Sequence, residues 1–266
     1  MTLLLKLLLA PALVVGSSLA GRRWGSQVTG MLVALPVVAS PILLISSIEQ
    51  GAHFGARAAS ASLLGLISLA LFPIMFAWSS RRYGWVRSLT IAWAVCLAVD
   101  LGLAQLTVPP WAGLILALTA ARVAARTLSA PTTGTGEDSE RLRGGPAWPW
   151  WDLPARAVAT AVLVLAVTGA AATVGPALTG VLAPSPVATS VVAGFALAQR
   201  GSDEAIRLLR GVPVGLLGFS VFCFLVATLV RPVGVGYAFG IAMIATPAVQ
   251  WAWLTMSARV ASHRRQ

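Results

Sequence analysis

Residues 25–40 read GSQVTGMLVALPVVAS, and residues 175–190, 150 positions on, read GPALTGVLAPSPVATS. Gly25, Thr29, Gly30, Leu32, Pro36, Val37 and Ser40 fall on Gly175, Thr179, Gly180, Leu182, Pro186, Val187 and Ser190. The register holds outward without a gap. Gly51, Arg57, Gly65, Leu66 and Phe72 fall on Gly201, Arg207, Gly215, Leu216 and Phe222, and Gly84, Ile91, Ala92, Ala98 and Val99 on Gly234, Ile241, Ala242, Ala248 and Val249. Matched Leu and Ala mean little in so apolar a chain. Matched Gly, Pro, Thr, Ser and Arg mark backbone-critical or polar positions inside hydrophobic segments and read as a duplicated membrane unit.

Composition assigns the solvent. The 266 residues are 58% hydrophobic and 10% charged, with a mean hydropathy of +0.85, too little polar surface for a water-soluble globule. A spanning helix needs roughly 20 mostly apolar residues. Nine stretches qualify: 2–20, 27–48, 57–78, 86–106, 109–126, 154–173, 177–198, 206–230 and 234–256. The expected fold class is all-α, a polytopic membrane protein of about nine spans.

The net charge of +11 raises the question of nucleic acid, and its placement answers it. With the N terminus outside and the C terminus cytoplasmic, the inner segments hold Arg22 and Arg23, then Arg81, Arg82 and Arg87, then Arg122, Arg126, Arg141, Arg143 and Arg156. They also hold Arg200, Arg207 and Arg210, and lastly Arg259, Arg264 and Arg265. Only Lys6, Arg57 and Arg231 are left for the other face. That asymmetry is the positive-inside signal of a plasma-membrane protein, so the lipid bilayer is the expected partner and nucleic acid is not. Trp24, Trp78, Trp85, Trp111, Trp148, Trp150, Trp151 and Trp253 lie near predicted helix ends, as an aromatic belt requires, with Trp93 and Trp251 deeper. Residues 1–21 resemble a secretory signal, but Arg22 and Arg23 directly after them oppose translocation of that end, so they are read as the first helix. Cys96 and Cys223 fall mid-helix at non-equivalent positions and read as small buried hydrophobes.

The expected organisation is 1–106 as a first four-helix repeat, 107–150 as a linking helix and cytoplasmic loop, and 151–266 as a second four-helix repeat. The offset is five spans, an odd number, so each helix and its copy cross in opposite directions and the repeat is inverted. The loop APTTGTGEDSERLRGGPAWPWW, residues 130–151, is rich in Gly, Pro and mixed charge. A two-fold axis in the membrane plane makes inward-open and outward-open states near equivalents, the geometry of alternating access.

Chemistry is expected at the second and seventh spans. Proline inside a helix removes a backbone donor and opens the preceding turn, and the freed carbonyls need partners in hydrocarbon. Thr29, Pro36 and Ser40 in one copy, with Thr179, Pro186 and Ser190 in the other, therefore mark two interrupted helices offering carbonyls and half-helix ends to a solute or ion. Ordinary kinked packing is the competing reading. Asp100 stands inside the fourth span opposite Gln250 of the ninth, an ionisable group in one copy against an amide in the other. Either it is a protonatable or cation-binding group or it orients its helix at the interface. Arg57 and Arg207 are the one charged pair kept by both copies. Arg57, which runs against the charge rule, is read with Glu49 as part of a vestibule able to meet an anion or to pair internally.

There is no HExxH, Walker loop, GxSxG or paired-cysteine motif. No enzyme, metal or cofactor is expected, and a driving force would be an ion or solute gradient. The arrangement resembles inverted-repeat secondary transporters with discontinuous helices, such as the cation:proton antiporter and bile-acid/arsenite families. The resemblance covers most of the chain at the level of architecture, with Pro36/Ser40 and Pro186/Ser190 nearest to a shared signature. It departs from them in having nine spans and not ten, and in lacking an adjacent Asp-Asp pair. The resemblance implies a secondary transporter of a small solute or ion. A non-transporting scaffold or complex subunit, or a lipid flippase, are the alternatives, and a homo-oligomer is compatible with all three.

Overall fold

A computed structural model describes residues 2–36, 39–106, 108–129, 149–174 and 184–263. Every regular element among them is a helix: α1 (Thr2–Trp24), α2 (Ser26–Val33), α3 (Ala39–Gln50), α4 (Ala52–Ser80), α5 (Trp85–Leu103), α6 (Pro110–Leu128), α7 (Asp152–Val174), α8 (Val187–Arg200), α9 (Ser202–Leu209), α10 (Val212–Val233) and α11 (Val235–His263). Four paths, Ala52–Ser80, Trp85–Leu103, Pro110–Leu128 and Ser202–Val233, are long and apolar enough to cross a membrane. The all-helical class and the membrane-compatible character follow directly.

The centre is the pair α4 and α10. About two thirds of the most apolar window is buried in Ala52–Ser80 and in Ser202–Val233 (67% and 61%), against 22% for α5 and 28% for α6, so the latter two lie at the periphery. Leu63, Leu66, Phe72 and Phe76 of α4 and Leu216, Phe222 and Val226 of α10 are fully buried in one core. Phe72 stacks on Phe76 with centroids 5.7 Å apart, and Phe222 meets Phe239 of α11 edge-on at 5.9 Å. Outward, Leu101, Ile115, Val162 and Ile244 are exposed, an apolar surface suited to lipid and costly in water. Trp24, Trp78, Trp85, Trp111, Trp150 and Trp151 are exposed at or beside helix ends, and Arg23 and Arg82 lie over the Trp24 and Trp78 rings at 5.6 Å. Trp148 lies outside the described residues.

The interruption expected in the second span is present. Helix α2 stops at Val33 and α3 starts at Ala39, because the proline at 36 has no N–H to continue the ladder. Pro36 is buried, and its carbonyl accepts the amide of Ser40 at 2.8 Å. The matched proline does the same: Pro186 caps α8, and its carbonyl accepts the amide of Ser190 at 2.8 Å. The start of the seventh span, Thr179 included, lies outside the described residues. Gly51 and Gly201, also matched, both take positive φ, 88° and 84°, turning α3 into α4 and α8 into α9 in a conformation that favours glycine.

One difference between the matched stretches lies in this path. Helix α4 is continuous, whereas the corresponding path breaks at Arg210–Gly211 between α9 and α10. Pro213, at the second position of α10, supplies no amide to a preceding turn and suits a helix start, and the first copy has Leu63 there. Against this break lies α2, backbone on backbone. A Cβ at Gly30 would collide with the Leu208 carbonyl and one at Gly211 with the Gln27 carbonyl, while at Gly215 it would meet Ala34 and the Met31 carbonyl at 2.5 Å.

Two contacts join the ends of matched helices. Arg22, in the last turn of α1, bonds Asp152, the first residue of α7, at 2.7 Å. Arg231, in the last turn of α10, lies 2.8 Å from His53 at the start of α4.

Gly30→Val and Gly211→Val are expected to lower stability by about 1–3 kcal/mol through overpacking, whereas Gly16→Ala, where nothing lies within 4 Å, stays within about 0.5 kcal/mol of the parent. Thermal unfolding in detergent followed by tryptophan fluorescence measures all three. Equal behaviour of the three would mean that α2 does not seat on the α9–α10 break.

Candidate functional site

Three helix ends, those of α1, α7 and α8, converge on one buried charge cluster. Asp152 has no exposed surface, and Arg156, one turn further along α7, is 2% exposed. The Asp152 carboxylate accepts Nε of Arg156 at 3.0 and 3.1 Å, Nη2 of Arg22 at 2.7 Å and Nε2 of Gln199, from the last turn of α8, at 2.7 Å. Arg156 also donates to Ser18 Oγ of α1 at 3.4 Å and lies over the Phe195 ring of α8 at 5.2 Å. A carboxylate buried this deeply persists as an ion only when paired and saturated with donors, and here four donor contacts from three side chains supply that.

Beside the cluster is a small cavity. Its polar wall is Ser18 and Arg22 of α1, Ser26 and Thr29 of α2, Arg156 of α7 and Glu204 of α9, and its apolar wall includes Val192, Ala196 and Leu208. Glu204 pairs with Arg207 at 2.9 Å. Thr29, the threonine matched in both copies, donates to the Ser17 carbonyl at 3.0 Å and stands where a Cβ on Gly21 would strike it. The α1–α2 corner is therefore held tightly by Gly21 and Thr29 while its mouth carries Arg22 and Ser26.

Of the residues singled out from sequence, Thr29 lines this cavity and Arg207 sits behind it through Glu204. Pro36, Ser40, Pro186 and Ser190 are buried at the interruptions, and the Ser190 hydroxyl returns to the Val187 carbonyl at 2.9 Å. Asp100 is 1% exposed; one carboxylate oxygen is buried with no hydrogen-bond partner, and the other side of the group meets the Ser68 hydroxyl of α4. Gln250 is buried too, donating to the Gly215 carbonyl at 3.3 Å and packing on Gly218. Asp100 meets Ser68 and Gln250 packs on Gly218, pairs that the 150-residue register sets opposite each other. Glu49 and Arg57 are exposed on the far side from the cavity's helix ends, and among the described residues they form no ion pair with each other.

Asp152, Arg156 and Gln199 were not legible as a site. Arg22 and Arg156 read as topological charges flanking spans. The available signal was a carboxylate one helical turn before an arginine at the start of a span, Asp152 to Arg156, with no counterpart at Thr2 and Lys6 in the other copy.

Among the described residues no group of three His, Cys, Asp or Glu side chains is placed to hold a metal ion. Comparison with protein families, curated proteins and solved structures finds no match, so what the site does is argued from its own chemistry.

Asp152→Ala is expected to destabilise the protein by about 3–5 kcal/mol by leaving buried guanidiniums without their carboxylate. Asp203→Ala, exposed on α9, changes stability by no more than about 0.5 kcal/mol. Denaturation in detergent compares them, and similar losses would mean that the cluster is not electrostatically buried.

Proposed function

We propose that this chain is a secondary transporter of a small solute or ion, working by alternating access about a two-fold axis in the plane of the plasma membrane. It has nine spans, an external N terminus and a cytoplasmic C terminus. One observation carries the reading: in a chain otherwise solvated by hydrocarbon, a small cavity with charged side chains in its wall lies beside an interrupted helix, where α1 and α2 of the first copy meet α7, α8 and α9 of the second.

The inverted repeat draws support from the two end-to-end contacts. Helices α1 and α7 are copies, and Arg22–Asp152 brings the end of one to the start of the other. Helices α4 and α10 are copies as well, and His53–Arg231 does the same for them. Copies that pack antiparallel are what a two-fold axis in the membrane plane requires. The charge pattern agrees, since α1 and α8 end, and α2, α7 and α9 begin, on the face that the positive-inside count assigns to the cytoplasm. Asp100, buried with an unpartnered oxygen, is the group best suited to carry a coupling proton, because burying a carboxylate in the membrane without a full partner set is costly unless its protonation state changes in use.

Purified protein in vesicles containing a pH-sensitive dye, challenged with panels of carboxylates, phosphates, amines and inorganic cations, is expected to give solute-dependent proton movement. Asp100→Asn is expected to reduce it at least about tenfold. Proton flux unchanged by Asp100→Asn removes Asp100 from the mechanism. Scrambling of labelled lipid with no solute flux transfers the reading to a flippase, and a fixed co-purifying partner with neither activity transfers it to a scaffold. Cysteine labelling from the two sides tests the topology directly, since equal orientation of the two halves defeats the two-fold.

A further inference from the structure

The charge of the cavity is unbalanced. Arg22 and Arg156 both line it, Arg200 is near enough to act on Arg156, and Arg207 stands behind Glu204. Among the described residues, the carboxylates paired with or lining against these guanidiniums are Asp152 and Glu204. Asp152 is turned into the cluster, bonded to both lining arginines and to Gln199. That arrangement anchors one edge of each lining guanidinium while both remain part of the cavity wall. Ser18, Ser26 and Thr29 also line it, the Thr29 hydroxyl being committed to the Ser17 carbonyl, and Ser26 opens α2, whose N-terminal end carries the positive pole of its helix. Guanidiniums, hydroxyls and a helix N-terminus around one small volume form the donor-rich, net-positive surroundings that suit an oxyanion.

We propose that this cavity binds a phosphate- or carboxylate-type oxyanion between Arg22 and Arg156, with Ser18 and Ser26 as hydroxyl donors. Asp152 sets the two guanidiniums in position without entering the site, because Gln199 holds it from behind. Glu204 lines the same volume and acts as the internal competitor, an anion of the protein's own that Arg207 draws aside when a ligand enters. The same chemistry serves a free anion in solution and the headgroup of an anionic lipid in the cytoplasmic leaflet, since Arg22 is 23% exposed and sits at the end of α1. The site's part in transport rests on the transport reading above; its occupancy does not.

The test uses the full chain. Thermal unfolding is measured in detergent with inorganic phosphate titrated against potassium chloride of equal ionic strength. It is repeated in nanodiscs of phosphatidylcholine alone and of phosphatidylcholine with phosphatidic acid. Phosphate is expected to stabilise the parent more than chloride does. Arg22→Gln is expected to weaken that binding at least about tenfold through loss of a charge-assisted hydrogen bond. Glu204→Gln is expected to strengthen it about threefold by removing the competing charge, and Arg23→Gln, exposed on the neighbouring position, leaves it unchanged. Should Arg22→Gln fail to fold, Ser26→Ala and Glu204→Gln read the same site from opposite directions. Stabilisation by phosphatidic acid but not phosphate, lost in the same variants, assigns the site to a lipid headgroup and upholds it. No stabilisation by either anion, or equal effects in Arg22→Gln and Arg23→Gln, overturns the proposal. Anion binding without flux upholds this site while defeating transport, and solute flux without anion binding does the reverse.

Discussion

Hydrocarbon offers no hydrogen bonds, and that one constraint sorts the polar groups of this protein. Most hydroxyls in the spans settle within their own helix: Ser60, Ser62, Ser79, Ser220 and Thr246 each return to a carbonyl four residues back. Polar groups that reach across helices are the exception and mark where helices are tied together. Thr29 bonds the Ser17 carbonyl, Arg210 bonds the Leu128 carbonyl that ends α6 at 2.8 Å, Gln250 bonds the Gly215 carbonyl, and Asp152 gathers Arg22, Arg156 and Gln199. The last is the costliest to bury and so the most informative, because an ionised carboxylate with no exposed surface survives only with its complement of donors in place.

The 150-residue sequence register pairs backbone-directing residues and leaves most charges unpaired. Turn glycines and proline carbonyls repeat at the 150-residue register, while Asp152, Arg156 and Arg22 stand opposite Thr2, Lys6 and Ala172, and Asp100 stands opposite Gln250. Backbone geometry is what a duplication must keep for both halves to pack. Charges are free to diverge, so each copy carries a different polar group at a related place. The buried ion cluster gathers at one set of helix ends and Asp100 lies near the end of α5. In the proposed transporter this divides the work, with an anion-binding mouth at one set of helix ends and a protonatable group near the end of α5.

The break between α9 and α10 shows how a few residues produce such divergence. Gly211 and Pro213 replace Ala61 and Leu63, the helix parts, and α2 gains a seat close enough for glycine Cα to meet carbonyl oxygen. That seat positions Ser26 and Thr29 against α1 and α9, and so shapes the cavity.

Much of the architecture was legible in the chain because hydropathy and proline act locally. Apolar runs of spanning length, the interruption at Pro36, the start of α8 after Pro186 and the turns at Gly51 and Gly201 each follow from residues within a few positions. The candidate site was legible only in part. Thr29 and Arg207 were marked by their repetition, yet Arg22 and Arg156 looked like charges flanking spans, and Asp152 attracted no notice. Their meaning depends on contacts across 130 and 47 residues, Arg22 to Asp152 and Gln199 to Asp152, and no local pattern encodes which helix ends share a face. The sequence by itself determined the helices, their membrane-compatible apolar character and the interruption at Pro36, since those are set by solvation and backbone chemistry at each position. Tertiary structure alone decided which charges are buried together, because that is a property of packing.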